Sequence, residues 1–367
     1  MAILNEPKFE RSPHLVALVA EVERLAAVLD DADTSSSAAD DLRARACVAT
    51  LRLDGSTITG PPIDDEVDAL QASVADDPAA ARSDGTWLDA LQTCVDLDDA
   101  DDEHIWALEY LAVADALAAD DLTASIAGDF VAAVTELHRR LTRGLVAPGA
   151  AGVLRQSDLA VQDGSIGRII YFPSDPADIS RDLHLLAGWL ESTAAREHGL
   201  VTSGVALYEL LRIHPFLSAN GRLARTGARL LLRDRGLDPA GLAVAEIYLA
   251  DDPMVSYQQV ARSMRRRDLT IWLETWSEAV AAGLQLAVGA IDRRAPDVPD
   301  RAVSFLRART DAAFTIADYR ADAVVGPDDS RADLQAMLDA GMITRVLGAR
   351  GLRFRSAGAS RSAHADV

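Results

Sequence analysis

Apolar residues recur at helical spacing along most of the chain. The apolar residues between Pro13 and Asp31 fall three or four positions apart, which is the period of one helix face. Ser12 followed by Pro13 supplies an N-cap and a proline at the first helical position. A second amphipathic stretch runs from Ala38 to Leu53 and ends at Gly55, which suits a left-handed C-cap. Further stretches predict helices over 64–75, 84–97, 101–118, 121–144, 178–198, 200–213, 219–236, 253–265 and 268–291.

The pattern changes between residues 152 and 173. Residues with β-branched side chains lie on both sides of an Asp163-Gly164 turn signal, which predicts a β-hairpin inside an otherwise helical domain. Residues 292–300 are polar and carry Pro296 and Pro299, as is typical of a linker. We therefore predict an N-terminal helical region over 1–110, a core over 111–291, the linker 292–300, and a small domain with a tail over 301–367.

The predicted elements of the C-terminal piece have the order of a winged helix-turn-helix. Helices over 302–309 and 315–323 precede a Gly-Pro-Asp-Asp turn, a helix over 330–340, and short strands over 343–347 and 352–355. The predicted recognition helix carries one Arg and two Asp, which is a poor composition for reading bases. A protein-docking or dimerisation module, and hence a homodimer, fits better. DNA binding through residues 301–355 stays open, with phosphate contacts from Arg345, Arg350, Arg353 and Arg355.

Composition narrows the class of protein further. Aromatic residues make up 5% of the chain, so the cores must consist largely of Ala, Leu and Val, which excludes most all-β folds. The net charge of −21 argues against a whole-protein surface for nucleic acid or anionic membrane. Residues 301–367 differ, with ten Arg against eight Asp. The N-terminus lacks a signal-peptide pattern and no apolar run approaches the ~18 residues of a membrane span, so we expect a soluble, cytoplasmic protein.

The segment Ile213 to Arg225, which reads IHPFLSANGRLAR, carries the candidate chemistry. A lone His-Pro-Phe is usually a helix terminator with a packed Phe. Here it is followed by Asn-Gly at a predicted helix start and by two arginines three residues apart. Backbone N–H groups, an amide and two guanidinium groups then converge on one place, which is how proteins hold an anion or a polyphosphate.

This segment resembles the signature of the Fic (filamentation induced by cAMP) family, HPFx(D/E)GNGRxxR. The matching positions are His214, Pro215, Phe216, Asn220, Gly221, Arg222 and Arg225. The segment 49–55, with Thr50, Asp54 and Gly55, resembles the family's inhibitory helix. The predicted hairpin resembles its substrate-positioning flap, with Ile169, Ile170 and Tyr171 on the second strand. The resemblance implies an all-α Fic core with one β-hairpin flap, followed by the winged-helix-like domain.

The resemblance also implies an activity, the transfer of AMP from ATP to a Ser, Thr or Tyr hydroxyl of an unknown target protein. His214 is expected to be the general base, since a neutral imidazole accepts a hydroxyl proton near pH 7. Asn220 and the backbone N–H of Gly221 are expected to bind phosphate oxygens, where a side chain at 221 would block approach. Arg222 and Arg225 are expected to hold the β- and γ-phosphates, with Phe216 anchoring the loop.

Two positions depart from the signature. The acidic residue that holds Mg²⁺ in the family is here Ser218, whose hydroxyl is a weaker ligand for the ion, and the following glycine is Ala219. An alanine before the asparagine also occurs in a phosphocholine-transferring relative and in the Doc kinases, although the kinases carry Lys where this chain has Gly221. Three functions therefore stay open: an adenylyltransferase, a nucleotide-binding pseudoenzyme or regulatory DNA-binding protein, and a transferase of another phosphate-linked group.

The resemblance gives Asp54 an inhibitory role. Packed over the site, its carboxylate would pair with Arg225 and occupy the γ-phosphate position. The alternative is that Asp54 merely ends a helix beside Gly55, although an acid is unfavourable at a helix C-terminus. Because Asp is one methylene shorter than the family's Glu, we expect a shorter reach and weaker inhibition.

Overall fold

The computed structural model describes residues 7–60, 102–291, 298–308, 313–339, 342–348 and 351–356, apart from 31, 33, 35, 36, 57, 59, 148, 164–166, 194, 195 and 239. The helices predicted over 64–75 and 84–97 and most of the predicted linker lie outside these residues. Every helix in the described part is too short or too polar to serve as a membrane span. The chain divides into two compact units, residues 1–32 with 42–288, and residues 33–41 with 289–367.

In its described residues, the first unit consists of helices and one small hairpin. Its helices are α1 Pro13–Asp30, α2 Ser37–Leu53, whose first residues belong to the other unit, α3 Asp102–Ala118, α4 Asp120–Gly128, α5 Phe130–Thr142, α6 Ile179–Thr193, α7 Gly199–Ile213, α8 Asn220–Asp234, α9 Ala245–Leu249, α10 Pro253–Arg266 and α11 Thr270–Ile291. A mainly helical unit with a single hairpin is the predicted fold class.

Helices α7 and α8 form the centre of this unit. Nearly every residue of α7 is buried, and so is every residue of α8 from Asn220 to Leu232. Helices α4 and α5 pack on α8, and α6 packs on α7. A helix buried on all sides is normally apolar, yet α8 carries Arg222, Arg225 and Arg229 in the interior. Buried arginines require anionic or carbonyl partners. Helix α8 is therefore a candidate anion-binding site.

The helix predicted over 121–144 is wrong as a single element. The chain breaks at Asp129, whose backbone is extended at φ −136°, and the Asp129 carboxylate caps α5 by accepting from the N–H of Ala132 at 3.1 Å. The side-chain cap competes with helix continuation at this position. Helix α9 was also not predicted, because its five residues are too few to show a period.

Strands β1 Val161–Asp163 and β2 Arg168–Tyr171 pair antiparallel around the predicted turn. Asp163 pairs with Arg168 and Val161 with Tyr171, and the register shifts between Val161 and Gln162. The regular part of the hairpin is therefore shorter than the predicted segment 152–173, and the residues before β1 follow an irregular path.

The second unit contains α12 Asp300–Ala308, α13 Ile316–Ala323, α14 Pro327–Asp339, and an antiparallel pair of strands, β3 Ile343–Gly348 and β4 Gly351–Ser356. Phe305, Phe314 and Tyr319 stack edge to face in its core. The predicted Gly-Pro-Asp-Asp turn is corrected, because α14 already begins at Pro327, where the fixed φ suits a first helical turn. The side chains of Arg345, Arg353 and Arg355 and all of Arg350 lie outside the described part of the chain.

Candidate active site

His214 follows α7 directly and turns the chain out of the helix. Its backbone is left-handed, at φ +51° and ψ +62°, and its N–H donates to the carbonyl of Leu210 at 2.9 Å. Pro215 follows and lacks the N–H that a further helical turn would use. The imidazole Nδ1 lies 3.3 Å from the carbonyl of Leu211. A proton on Nδ1 satisfies that carbonyl and leaves the lone pair of Nε2 available.

Burial governs the protonation of His214. Loss of hydration lowers the pKa of the imidazole to about 4; the hydrogen bond with Leu211 opposes this change and the nearby Arg155 cation reinforces it. The ring is therefore neutral at pH 7. A neutral ring can accept a proton, but a pKa this low makes it a weak base, so catalysis by His214 needs accurate positioning.

Phe216 and Asn220 close the loop between α7 and α8. The ring of Phe216 is fully buried and stacks on His138 of α5, with the centroids 3.8 Å apart. The Asn220 amide oxygen accepts from the N–H of Phe216 at 3.0 Å, and its amide nitrogen donates to the Phe216 carbonyl at 2.9 Å. The sequence predicts Asn220 as a phosphate ligand, whereas in this structure its amide shapes the loop.

His138 belongs to this arrangement and sequence reasoning missed it. Its Nδ1 accepts from the N–H of Gly152 at 2.9 Å, and burial lowers the pKa of the ring to about 4. Only its position in an amphipathic helix is visible in the sequence, since the partner, Phe216, lies 78 positions away. His138 therefore fixes the underside of the loop that carries the candidate base.

The two departures from the signature lie side by side on this loop. Ala219 adopts a left-handed backbone at φ +55° and ψ +16°, a conformation that favours glycine. Ser218 beside it is exposed. Within the described ranges, no cluster of three or more His, Cys, Asp or Glu side chains has the geometry of a metal site. One neutral hydroxyl is a poor donor set for Mg²⁺, so the residues at Ser218 do not fit that ion.

The carboxylate of Asp54 lies between the two arginines of the motif. Its Oδ1 is 2.6 Å from Nη2 of Arg225, and its Oδ2 is 3.2 Å from Nε of Arg222. Arg225 also donates from Nε to the hydroxyl of Thr50 at 2.6 Å and from Nη2 to the Thr50 carbonyl at 2.8 Å. Although Asp is one methylene shorter than Glu, the Asp54 carboxylate contacts both guanidinium groups.

Gly221 lies directly beneath this carboxylate. A Cβ at residue 221 would overlap Asp54, and it would lie 2.9 Å from Nη1 of Arg225 and 3.0 Å from the hydroxyl of Tyr257. The Tyr257 hydroxyl interacts with both Asp54 and Arg225, and burial raises its pKa. Glycine at 221 therefore leaves space for an anion above the helix start, and Asp54 fills that space in this structure.

Glu109 of α3 is a further residue that sequence reasoning missed. Its Oε1 lies 2.7 Å from Nη1 of Arg222. Burial raises the pKa of Glu109, while the Arg222 cation lowers it and the neighbouring Asp54 raises it. Two carboxylates thus share Arg222. Nothing in the local sequence around residue 109 indicates this contact, because the tertiary packing of α3 against α8 creates it.

The three predicted flap residues differ in exposure. Ile169 is exposed, Ile170 is half-buried, and Tyr171 is buried with its hydroxyl donating to the Leu211 carbonyl at 3.0 Å. Tyr171 therefore fastens β2 of the predicted flap to the end of α7. Val161, its partner in the register, is half-buried.

Part of the chain is similar in sequence to known proteins. The profile of the Fic/DOC family matches residues 131–232. Proteins named protein adenylyltransferase Fic from Drosophila grimshawi and Aedes aegypti are 31% and 33% identical over 107 residues, or 29% of this chain. That match covers only 20% of the length of each relative.

A solved structure matches most of the chain. The crystal structure of a Fic family protein from Desulfovibrio desulfuricans G20 superposes with a TM-score of 0.57 at 23% identity, covering 96% of this chain and 98% of that one. At this level of identity the match supports the fold alone.

Proposed function

Since residues 131–232 of this chain form a Fic/DOC family domain, we propose that it is a protein adenylyltransferase whose phosphate site is occluded by its own Asp54. The observation that carries the proposal is the Asp54 carboxylate held between Arg222 and Arg225 above Gly221. Two buried guanidinium groups, a helix N-terminus and a glycine together favour a bound anion. In this structure the anion is the carboxylate of Asp54, the residue after α2.

In the proposed reaction, His214 is the general base. The acceptor hydroxyl attacks the α-phosphorus of ATP and gives its proton to Nε2, while the bond between the α-phosphorus and the bridging oxygen breaks and pyrophosphate leaves. Arg222 and Arg225 then neutralise the charge that develops on the leaving group. The relatives named protein adenylyltransferase Fic support this choice of transferred group.

The described residues at Ser218 offer Mg²⁺ a single neutral hydroxyl, so the proposed mechanism gives this ion no role. That same observation favours a second candidate, a Fic protein that binds a nucleotide without transferring it. Both candidates need ATP to bind once Asp54 has left, and only the first needs His214.

One assay separates these candidates. The full chain and its Asp54→Asn variant are incubated with a cell lysate and with ATP labelled at either the α- or the γ-phosphate. We expect protein labelling from the α-label only, increased in Asp54→Asn and lost when His214→Ala is added. Labelling from the γ-label indicates phosphorylation. ATP binding without labelling favours the pseudoenzyme. The matched control is Asp115→Asn, an exposed acid on α3.

A further inference from the structure

Arg155, in the irregular segment before β1, is joined to the His214 turn although it lies 59 positions earlier in the chain. Its side chain is buried, and its guanidinium donates to the carbonyls of His214 at 2.7 Å and Ile213 at 3.2 Å. Its backbone N–H donates to the carbonyl of Pro215 at 3.0 Å. Three consecutive carbonyls at the end of α7 are therefore bound by this one residue.

The same guanidinium reaches the chain on both sides of the hairpin. It donates to the carbonyl of Ser157 at 2.8 Å and to the carbonyl of Ser174 at 2.5 Å. Ser157 precedes β1 and Ser174 follows β2, so both ends of the hairpin are fastened to the turn that carries His214.

The chemistry requires an arginine at this position. The last carbonyls of a helix lack internal partners and lie at the negative end of its dipole. His214 holds a left-handed backbone, which is unfavourable for a residue other than glycine, so the turn must be stabilised by its surroundings. The planar fork of arginine serves several carbonyls at fixed angles, whereas the ammonium group of lysine cannot span them.

Arg155 forms no ion pair with a carboxylate among the described residues, and its guanidinium binds backbone carbonyls, while the charges of Asp158 and Asp175 partly offset its loss of hydration. Burying a cation in this way is costly, and burial lowers the pKa of Arg155. A weak base such as His214 depends on geometry, and Arg155 provides that geometry.

We propose that Arg155 is the positioning residue for His214, holding the left-handed turn so that Nε2 meets the acceptor hydroxyl and coupling that turn to the β1–β2 hairpin. The role rests on the proposed function. Among the described residues, the guanidinium of Arg155 contacts backbone carbonyls and not Asp54, Arg222 or Arg225, so we expect it to act on the base and to leave nucleotide binding to α8. A residue that only stabilises the fold would instead affect both the rate of transfer and the binding of ATP.

The test compares Arg155→Lys with Arg233→Lys in the full-length Asp54→Asn background. Arg233 also donates to a backbone carbonyl, that of Leu117 at 2.8 Å, but far along α8 from the turn. Transfer kcat, the Kd of ATP and the melting temperature are measured for each. We expect Arg155→Lys to lower kcat by roughly 10- to 100-fold, as a small misplacement of a reacting group does, with the Kd of ATP changed by less than about twofold. Arg233→Lys should leave both constants unchanged.

A second measurement does not depend on transfer. The titration of the His214 ring is followed by NMR, with His214→Gln to assign the resonance. Because the Arg155 cation lowers the pKa of His214, looser placement of the charge should raise that pKa in Arg155→Lys.

A third measurement is chemical rescue of transfer. Guanidinium ion added to Arg155→Ala should restore part of the lost kcat.

The outcomes separate the two proposals. An unchanged kcat, or equal losses in kcat and ATP affinity, overturns the positioning role. If no variant transfers AMP, the proposed function fails, and the NMR titration alone decides: a shifted His214 pKa supports positioning by Arg155, and an unshifted one overturns it.

Discussion

Asp54 at the end of α2 and Arg225 inside α8 form an ion pair of 2.6 Å across 171 positions of sequence. Thr50, one helical turn earlier, binds the same guanidinium through both its hydroxyl and its carbonyl. The Asp54 carboxylate is the more accessible partner, with 23% of its side chain exposed against 6% for Arg225. Solvent therefore reaches the carboxylate of this pair and hardly reaches the guanidinium.

Asp54→Asn should increase both ATP binding and transfer. The amide keeps the size of the side chain but removes the charge that competes with phosphate. We expect ATP affinity to rise by roughly 5- to 150-fold, which corresponds to a free-energy change of about 1–3 kcal/mol. The measurement is the rise in melting temperature with ATP concentration, together with labelling from α-labelled ATP. The control is Asp115→Asn.

Equal ATP-dependent stabilisation in the wild-type protein and Asp54→Asn would show that the ion pair does not compete with the nucleotide. In that case the occlusion proposal has to be withdrawn. Without ATP, Asp54→Asn should melt below the wild type, because Arg225 keeps Thr50 but loses its counter-charge.

Transfer should be insensitive to pH between about 6 and 8. The pKa of His214 is lowered to about 4 by burial, so the base is already neutral above that value and is lost only as pH falls through it. The rate of Asp54→Asn is measured from pH 3.5 to 8.5, with ATP affinity measured at each pH. An acid limb centred near the ordinary histidine value of about 6.5 contradicts this assignment.

His214→Ala should abolish transfer and leave ATP affinity nearly unchanged. The imidazole acts on the acceptor proton, while the arginines of α8 hold the phosphates. Isothermal titration with ATP and the labelling assay are carried out on the same Asp54→Asn preparation, with and without the His214 change. Transfer that persists in the variant removes His214 from the mechanism.

Tyr257→Phe should weaken the binding of the Asp54 carboxylate in the phosphate site. The Tyr257 hydroxyl interacts with the Asp54 carboxylate, and losing that hydrogen bond costs about 1 kcal/mol. ATP affinity should therefore rise by roughly fivefold in the wild type and not at all in Asp54→Asn. Tyr248→Phe on α9 is the control. Equal effects in both backgrounds would show that Tyr257 acts on ATP directly.

Ala219→Gly should stabilise the protein. Ala219 has a left-handed backbone at φ +55°, which costs alanine about 1 kcal/mol and costs glycine almost nothing. The free energy of unfolding is measured in urea, with Ala118→Gly at the end of α3 as the control. That control should be destabilised by about 0.5 to 1 kcal/mol, because its backbone is helical. If Ala219→Gly also loses stability, the left-handed backbone of Ala219 is not strained.

Ser218→Asp should strengthen the binding of Mg²⁺ to the ATP complex and so the dependence of transfer on that ion. The substitution adds an anionic oxygen on an exposed loop position where the chain has only a hydroxyl. Mg²⁺ binding to the ATP complex is titrated calorimetrically for Ser218→Asp and for Ser218→Asn, which matches its size without the charge. Equal Mg²⁺ affinity in both variants excludes residue 218 as a ligand position.

Several features of this protein are determined by the sequence by itself. Helical periodicity predicted nearly every helix of the first unit, because apolar residues three or four positions apart commit a segment to one buried face. The turn signal at Asp163 predicted the hairpin. The motif from His214 to Arg225 indicated the family, because its residues lie on one loop and one helix start and so need no tertiary information.

Tertiary structure alone decided what surrounds that motif. Arg155, His138, Glu109 and Tyr257 contact the motif from four other segments, and no local pattern marks them, since hydrogen bonds and ion pairs between distant residues leave no period in the sequence. The orientation of Tyr171 and the loop-closing role of Asn220 depend equally on what packs beside them. Sequence placed Asp54 at a helix end, and only the packing of α2 against α8 put its carboxylate between two buried arginines, where a charge is worth far more than in water.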